Sequence, residues 1–307
     1  MELFVSWVPG LPSDREALGV LKTNPLITGV ESCNVPDEQG LLNAAGLKLS
    51  MHNPAFPLRE DLSYPGLAER IAGRDHLLDT IRASDAPTVG FHLCHSLLVH
   101  IRDVLEGKAA FRNRWTEAED NIVLNLAELE GLINAPMKEK KKILFETNAA
   151  PSLARIDRLA DAGVRTDVQK LMLVNSPQSI NRVLRKTEKN PRIGFLFDVA
   201  HCLGASHNLA WNPSQRRKLM NDFVRLSEGR VFQVHLNRPR RLGMDGHTAL
   251  LEGDALSGEV LSWAETVLAR NPVQTVTLEV DTGEGPVAHA RILAQQTELV
   301  RRRLKLA

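Results

Sequence analysis

Short runs of apolar, β-branched and aromatic residues recur along this chain, separated by longer segments of helical periodicity. Most of these runs are continuously apolar rather than alternating, which is typical of parallel strands buried on both faces. They begin near Leu3, Ile27, Leu47, Thr88, Ile143, Ile193, Val231 and Val276. The segments between them, such as 118–132 and 217–226, carry apolar residues at helical spacing and predict helices.

The alternation of strand and helix predicts the fold. Repeated eight times, it is the pattern of an α/β protein, a single (β/α)8 TIM barrel. A doubly wound open sheet is the competing arrangement, but it does not need so many strands ending in polar residues. No repeat and no linker rich in Pro, Gly or Ser divides the 307 residues, so 1–307 is predicted to be one domain.

Charge, hydrophobicity and cysteine content limit the binding partners and the cellular compartment that we expect for the protein. Its 38 Lys and Arg nearly balance 37 Asp and Glu, so any nucleic-acid binding would be local rather than general. The apolar runs fall short of the roughly 18 residues of a membrane span, and the first residues lack the pattern of a signal peptide. Three scattered cysteines do not make a disulfide framework. We therefore expect a soluble, reduced, cytoplasmic protein with no membrane contact.

Polar residues follow six consecutive strands at the point where each strand ends. These residues are His52, His92, Glu146, Asp198, His235 and Glu279, with His201, Asp245 and His247 just beyond strands six and seven. The carboxyl ends of barrel strands converge on one mouth, where active sites are built. One such residue alone is more often a cap or loop residue than a ligand, but core packing does not require polar groups at six strand ends. Divalent metals would neutralise this convergence of imidazoles and carboxylates.

Several of these segments resemble the metal-binding motifs of the endonuclease IV family, within the superfamily of xylose-isomerase-like TIM barrels. The segments are 51–54, 143–148, 197–201, 234–237, 245–247, 251–254 and 278–279. The match covers strands three to eight in the correct order and is weak over the first 45 residues.

The resemblance implies a site for two to three divalent ions, which could be zinc, iron or manganese. The first metal would be held by His52, His92 and Glu146. The second would share the bridging Glu146 with Asp198, His235 and Glu279. The third would be held by His201, Asp245 and His247. Simple sugar isomerases generally lack the Asp-x-His pair at 245–247, so this pair favours three metals over one or two.

The sequence does not decide which histidine near the end of strand four is the metal ligand. Segment 91–95 offers both His92 and His95, and only one of them need be a ligand. His92 is favoured because it stands directly at the strand end.

Phosphodiester hydrolysis of the endonuclease IV type is the first function that the resemblance implies. Clustered metals, positioned by Glu146 and Glu279, would cleave the substrate without a protein nucleophile. Arg238, Arg240 and Arg241 lie on the loop beside strand seven and would bind phosphate or another acidic group, although a solvated loop explains them equally well. The near-zero net charge and the single tyrosine argue against a DNA substrate.

Two other functions fit the same ligands. Segments 91–93, 196–198 and 235–236 also resemble the multinuclear non-heme iron oxidases that modify ribosomally made peptides. That resemblance implies iron, dioxygen, a peptide substrate and a partner protein. The remaining alternative is a sugar isomerase or epimerase acting on a small molecule, with Glu146 and Glu279 as paired acid and base beside one metal.

Overall fold

The computed structural model contains eight parallel strands that close into a barrel, with β1 hydrogen-bonded to both β2 and β8. The strands are β1 Glu2–Ser6, β2 Gly29–Ser32, β3 Lys48–His52, β4 Thr88–His92, β5 Lys142–Glu146, β6 Ile193–Asp198, β7 Val231–Leu236 and β8 Thr275–Leu278. Each begins within two residues of the position that the hydrophobic pattern predicts. The predicted (β/α)8 TIM barrel is therefore confirmed, and the open sheet is excluded.

The structure describes residues 1–6, 15–32, 36–52, 62, 66, 74–84, 87–92, 115–147, 175–243 and 246–305. Within these ranges the helices are α1 Arg15–Lys22, α2 Pro36–Ala45, α3 Arg74–Ala83, α4 Trp115–Asn134, α5 Pro177–Lys186, α6 Val199–Leu209, α7 Pro213–Leu226, α8 Ala255–Leu268 and α9 Pro286–Leu304. None of these described helices has both the length and the apolar character that crossing a bilayer demands. Two of the candidate ligands, His95 and Asp245, lie outside the described residues.

The hydrophobic core is divided by the barrel wall into a large outer layer and a small inner one. On β6, Phe195 and Phe197 belong to the main apolar cluster, which also contains buried residues of the surrounding helices. Leu196, between them in sequence, belongs instead to a separate cluster with Leu144 and Phe232. This division follows from strand geometry, because successive side chains point to opposite faces of a sheet.

The same alternation places the predicted ligands on the inner side of the barrel. Glu146 stands two residues after Leu144, and Asp198 stands two residues after Leu196. Because all eight strands are parallel, their carboxyl ends meet at one mouth. The strand-end residues are thus brought together by both the strand direction and the two-residue period.

Candidate metal centre

Eight of the nine predicted metal ligands lie in described segments, and their side chains meet at this mouth. Five are buried and three are partly exposed; the buried ones are His52, Glu146, Asp198, His201 and His235, and the partly exposed ones are His92, His247 and Glu279. The cluster therefore has a closed inner part and a side that faces the opening.

Among the predicted ligands, two groups of side chains are spaced as ligands of a metal ion would be, and a third group adds Glu31 to His52 and His235. Within each group, one candidate ligand atom from every residue lies within 4.8 Å of those of the others. The groups are His52, His92 and Glu146, and Glu146, Asp198, His235 and Glu279. They match the first two predicted sets, and Glu146 belongs to both. The arrangement thus has the form of two adjoining metal sites that share one carboxylate.

The contacts of Glu146 test whether these residues fit a metal. His52 Nε2 lies 2.6 Å from Glu146 Oε2, and His201 Nδ1 lies 2.8 Å from Glu146 Oε1. Despite these short distances, neither carboxylate oxygen makes a hydrogen bond of acceptable geometry with the described residues. A buried carboxylate whose only partners are imidazoles in poor hydrogen-bond geometry is better satisfied by a cation placed between them. Glu146 is therefore suited to bind a cation between itself and the imidazoles.

The pKa values of the buried groups reflect the crowding of charge at this site. Burial opposes ionisation of Glu146, but the neighbouring His52 and His92 outweigh it and hold the pKa of the carboxyl well below its usual range. Burial raises the pKa of Asp198 to about 6, with Glu146 contributing to the rise and His201 opposing it. These opposite shifts distinguish a carboxylate whose burial is outweighed by imidazoles from one in which burial prevails.

Gly90 on β4 makes room for the His52 imidazole on β3. A Cβ atom at this position would lie 2.9 Å from His52 Cδ2 and 2.8 Å from Leu196 Cδ1. Any larger residue would therefore push the imidazole away from Glu146. This backbone position is part of the site although it carries no side chain.

Asp198 connects the metal cluster to the start of helix α6. Its Oδ1 accepts a hydrogen bond from the backbone N–H of His201 at 2.6 Å, which caps the helix, and its Oδ2 accepts one from Asn237 Nδ2 at 3.0 Å. Because the cap fixes the first turn of α6, it also fixes the direction of the His201 imidazole. The three-residue spacing of Asp198 and His201 in the sequence is thus a capping geometry as well as a ligand spacing.

Glu31 is a further member of the site that the sequence analysis missed. It lies on β2, is buried, and its Oε1 lies 2.8 Å from His235 Nε2. Burial alone would raise the pKa of this carboxyl, but the adjacent His235 reverses the effect and lowers it. Glu31 is the third residue of the β2 strand rather than the residue after its end, so the strand-end pattern could not find it. The signal available was a charged residue within a strand that is otherwise buried on both faces.

Comparisons with solved structures support the fold but reach low sequence identity. The TTHB071 protein from Thermus thermophilus, soaked with zinc chloride, is 20% identical, with 97% of this chain and 98% of that chain covered and a TM-score of 0.53. A xylose isomerase domain protein from Planctomyces limnophilus is 14% identical, with 99% and 97% covered and a TM-score of 0.54. A xylose isomerase-like TIM barrel protein from Mycobacterium smegmatis, in complex with magnesium, is 10% identical, with 99% and 96% covered and a TM-score of 0.54.

The fold is a TIM barrel, similar to that of the solved xylose isomerase-like proteins. No protein-family model matches the chain, and no curated protein matches it either. These likenesses confirm the predicted barrel fold. The closer resemblances to endonuclease IV and to the iron oxidases find no support among these structures and stay predictions.

Of the predicted third metal set, His201 and His247 lie within the described residues. The imidazole rings of His201 and His247 lie 5.6 Å apart, and His247 Nδ1 lies 3.5 Å from Glu279 Oε2. His247 has a positive φ of 40°, an uncommon conformation for a residue other than glycine. Asp245 lies outside the described residues, so the third site stays a prediction.

The three arginines after β7 differ in their surroundings. Arg238 Nε donates to Asp254 Oδ2 at 2.9 Å, which ties this guanidinium to the start of helix α8. Arg240 and Arg241 are exposed on the loop that follows. The guanidinium of Arg238 is thus held by a carboxylate, and a role of Arg240 and Arg241 in binding an acidic substrate group stays a prediction.

Proposed function

We propose that this chain is a divalent-metal-dependent enzyme that moves a proton between neighbouring carbons of a small polar substrate, an isomerase of the sugar type. The observation that carries the proposal is the four-residue group in which Glu146, Asp198 and His235 are buried while Glu279 reaches the opening. The similar structures, which include a xylose isomerase domain protein and a magnesium complex, support this class of chemistry.

A divalent cation in this group would act as a Lewis acid that polarises a carbonyl or hydroxyl oxygen of the substrate. The protein's own residues would supply the acid–base chemistry. Glu279 has a side chain 19% exposed, and His235 Nδ1 lies 2.9 Å from its Oε2, so it can face both the cluster and a bound substrate. We assign to Glu279 the removal of a proton from the carbon beside a carbonyl and its return to the neighbouring carbon.

Glu146 and Glu279 are not equivalent in this proposal, although the sequence suggested an acid–base pair. Glu146 is fully buried and surrounded by His52 and His201, which leaves it without access to a substrate carbon. We therefore assign Glu146 to metal binding alone. A single carboxylate suffices for the transfer between the two carbons, because the group that takes the proton can also return it. The hydroxyl proton of the substrate moves to the former carbonyl oxygen to complete the isomerisation.

The substrate class follows from the entrance to the site. Arg240 and Arg241 are exposed on the loop after β7, where they would favour a substrate with a phosphate or carboxylate group. The net charge of +1 favours a small molecule over a nucleic acid. We therefore propose an acidic sugar or a sugar phosphate as the substrate class.

A second candidate function is favoured by the additional ligand group of His52, His92 and Glu146. A mononuclear isomerase does not need these imidazoles. Two adjoining cations would suit phosphodiester hydrolysis, and an imidazole-rich set would also suit iron and oxidation of a peptide with a partner protein. Zinc, iron and manganese are all compatible with these ligands.

The test is solvent hydrogen exchange into candidate substrates. The protein, loaded in turn with magnesium, manganese, zinc and iron(II), is incubated in D2O with a panel of aldoses, ketoses and their phosphates. We expect deuterium at the carbon beside the carbonyl, detected by NMR. Glu279→Gln should lose the exchange, and its metal content is measured alongside so that loss of the base is separated from loss of the cation.

Parallel assays distinguish the second candidate. Hydrolysis of bis(p-nitrophenyl) phosphate without any sugar exchange would favour the hydrolase. Oxygen consumption by the iron-loaded protein with a cysteine-containing peptide would favour the oxidase. Either result, in the absence of exchange, would replace the isomerase proposal.

A further inference from the structure

The end of the barrel opposite the metal cluster carries basic residues where strands β5, β6 and β7 begin. Lys142 is the first residue of β5, and Arg192 and Arg230 immediately precede β6 and β7. The three strands are hydrogen-bonded neighbours, so these residues stand side by side. Along β5, Lys142 lies about 13 Å from Glu146, because a strand rises about 3.3 Å per residue. The proposed reaction uses none of these three cations.

The Lys142 ammonium is held at the inner edge of this end by an aromatic ring and a carbonyl. Lys142 stands two residues before Leu144, which packs with Phe232 in the inner apolar cluster, so the Lys142 side chain leaves the strand on the inner side. Its Nζ lies 3.9 Å from the centroid of the Phe232 ring and donates to Pro191 O at 3.0 Å. Gly194 makes room for this ring, because a Cβ atom there would collide with Phe232 Cδ2.

The Arg230 guanidinium is held in place by backbone carbonyls of the neighbouring elements. It donates to Leu184 O at 3.4 Å and to Thr187 O at 3.4 Å, at the end of helix α5, and to Ile193 O on β6. These bonds order the side chain. The helix end contributes a partial negative charge of about half a unit. Carbonyl groups carry no net charge, so much of the positive charge of Arg230 stays uncompensated.

Carboxylates compensate this group of cations only in part. Arg192 Nη1 lies 3.4 Å from Glu130 Oε1, and Glu188 acts on Arg230 only from beyond ion-pair distance. Among the described residues, no carboxylate lies within 4.0 Å of the Lys142 ammonium or the Arg230 guanidinium. Burial lowers the pKa of Lys142, and the positive charges of Arg230 and Arg192 lower it further. A cation whose charged neighbours are other cations is stabilised when an anion binds beside it.

The surroundings of the three cations are also basic. Helices α1, α3, α5, α7 and α9 all have basic residues in the last turn, at the face where the following strand begins. Such a surface raises the local concentration of anions. Basic residues at helix ends also complement the helix dipole, but Lys142 lies on a strand and bonds to a loop carbonyl, so this explanation does not account for it.

We propose that Lys142, Arg192 and Arg230 form a binding site for a phosphate group of a small polyvalent anion, separate from the metal centre. Phosphate oxygens accept charge-assisted hydrogen bonds from guanidinium and ammonium groups, and both kinds of donor are present. A small anion is favoured over single-stranded nucleic acid, which binds through exposed aromatic side chains. Among the described residues, the large exposed aromatic one is Trp211, which precedes α7 and so lies toward the mouth. The proposal does not depend on the isomerase reaction.

The experiment titrates the protein, as purified and without added metal, with inorganic pyrophosphate and orthophosphate in a calorimeter. We expect pyrophosphate to bind, and Lys142→Met to bind it at least about 10-fold more weakly, the factor that one charge-assisted hydrogen bond contributes. The methionine keeps a long apolar side chain against the Phe232 ring, so the loss measures the charge. Pyrophosphate should also raise the melting temperature of the wild type more than that of the variant. Equal affinity for orthophosphate would identify free phosphate as sufficient, and weaker binding of it would indicate a larger phosphorylated molecule.

Two more variants keep the proposal testable if Lys142→Met does not fold. Arg192→Gln and Arg230→Gln should each weaken pyrophosphate binding in the same direction. The melting temperature of Arg230→Gln is measured alongside, because its guanidinium also bonds to the end of α5. Unchanged affinity in all three variants would overturn the site.

Controls separate this site from general charge and from the mouth. Lys138→Gln removes an exposed lysine that precedes the same strand, and it should bind pyrophosphate as the wild type does. An equal loss in Lys138→Gln would show that only the overall charge of this end matters, and it would overturn the proposal. A double variant, Arg240→Gln with Arg241→Gln, should also bind normally, and a loss confined to it would place the anion at the mouth instead. Binding of single-stranded RNA or of anionic vesicles, without any binding of pyrophosphate, would likewise overturn the proposal.

Discussion

At the scale of single residues, Glu146 connects more of the cluster than any other group does. Four imidazole nitrogens lie within 4.0 Å of one or other of its oxygens, from His52, His92, His201 and His235. Its position at the end of β5 places it between β4, which ends at His92, and β6. A bridging ligand has to lie in this way between two groups of partners.

We predict that Glu146→Gln lowers the metal content to about one ion or fewer per chain, because both ligand groups lose their shared carboxylate. Elemental analysis of protein purified in parallel with the wild type measures this. Glu119→Gln is the matched control, since Glu119 is also a buried carboxylate but pairs with Arg182 at 2.7 Å instead. The control should unfold more easily, with its metal unchanged. Full metal content in Glu146→Gln would contradict the bridging role.

Cys202 offers a second prediction for a single residue. Its thiol is fully buried in α6, and burial, with the charges of Asp198 and Glu146, raises its pKa well above the usual range. Since the thiolate is the reactive form, Cys202 should react with a thiol reagent more than about 100-fold more slowly in the folded protein than in denaturant. A Cys33→Ser, Cys94→Ser background leaves Cys202 as the only reporter. Fast labelling of the native protein would mean that α6 opens readily.

At the scale of elements, the hydrophobic pattern predicted the barrel because the apolar runs indicate the strands and the polar residues after them indicate the strand ends. Continuous apolar runs marked all eight strands, and a polar residue after a run marked the mouth. The sequence analysis did not identify Glu31 as a site residue because it lies within β2, where the apolar pattern indicated only a buried strand. The contacts among the ligands could not be predicted either, since they depend on the register of neighbouring strands. Gly90 is an example, because it makes room for the His52 imidazole only when β3 and β4 pair in this register.

Helix α6 supports a prediction at this scale, because Asp198 is both its N-cap and a candidate ligand. Asp198→Asn keeps a good capping residue, so the melting temperature of the metal-free protein should not fall, while metal content should. Asp198→Ala should lose metal and also about 1 kcal/mol of stability.

The control for this pair is Asp254→Ala, which removes the N-cap of α8 away from the cluster. It should melt earlier with its metal content intact. If Asp198→Asn kept all of its metal, Asp198 would be a capping residue only.

At the scale of the whole molecule, the parallel direction of the strands concentrates the charged groups at one end of the barrel. The three carboxylates of the four-residue group and the nearby imidazoles share that end, and the polar layer around Glu31 and Gln233 lies beneath them. Removing metal from such a cluster leaves several buried charges uncompensated. The number of ions that the molecule binds is therefore the property on which the choice between its candidate functions depends.

That number is the subject of the last prediction. If His201 and His247, whose rings lie 5.6 Å apart, complete a third site with Asp245, the wild type should bind about three ions and His247→Ala about two. Because His247 has a positive φ, His247→Gly is also made: it relieves the backbone, and it should lose the same ion if the imidazole is what matters. The exposed His207→Ala is the control and should bind as many ions as the wild type. Two ions in every one of these proteins would remove the third site and leave the isomerase and the two-metal hydrolase as the competing functions.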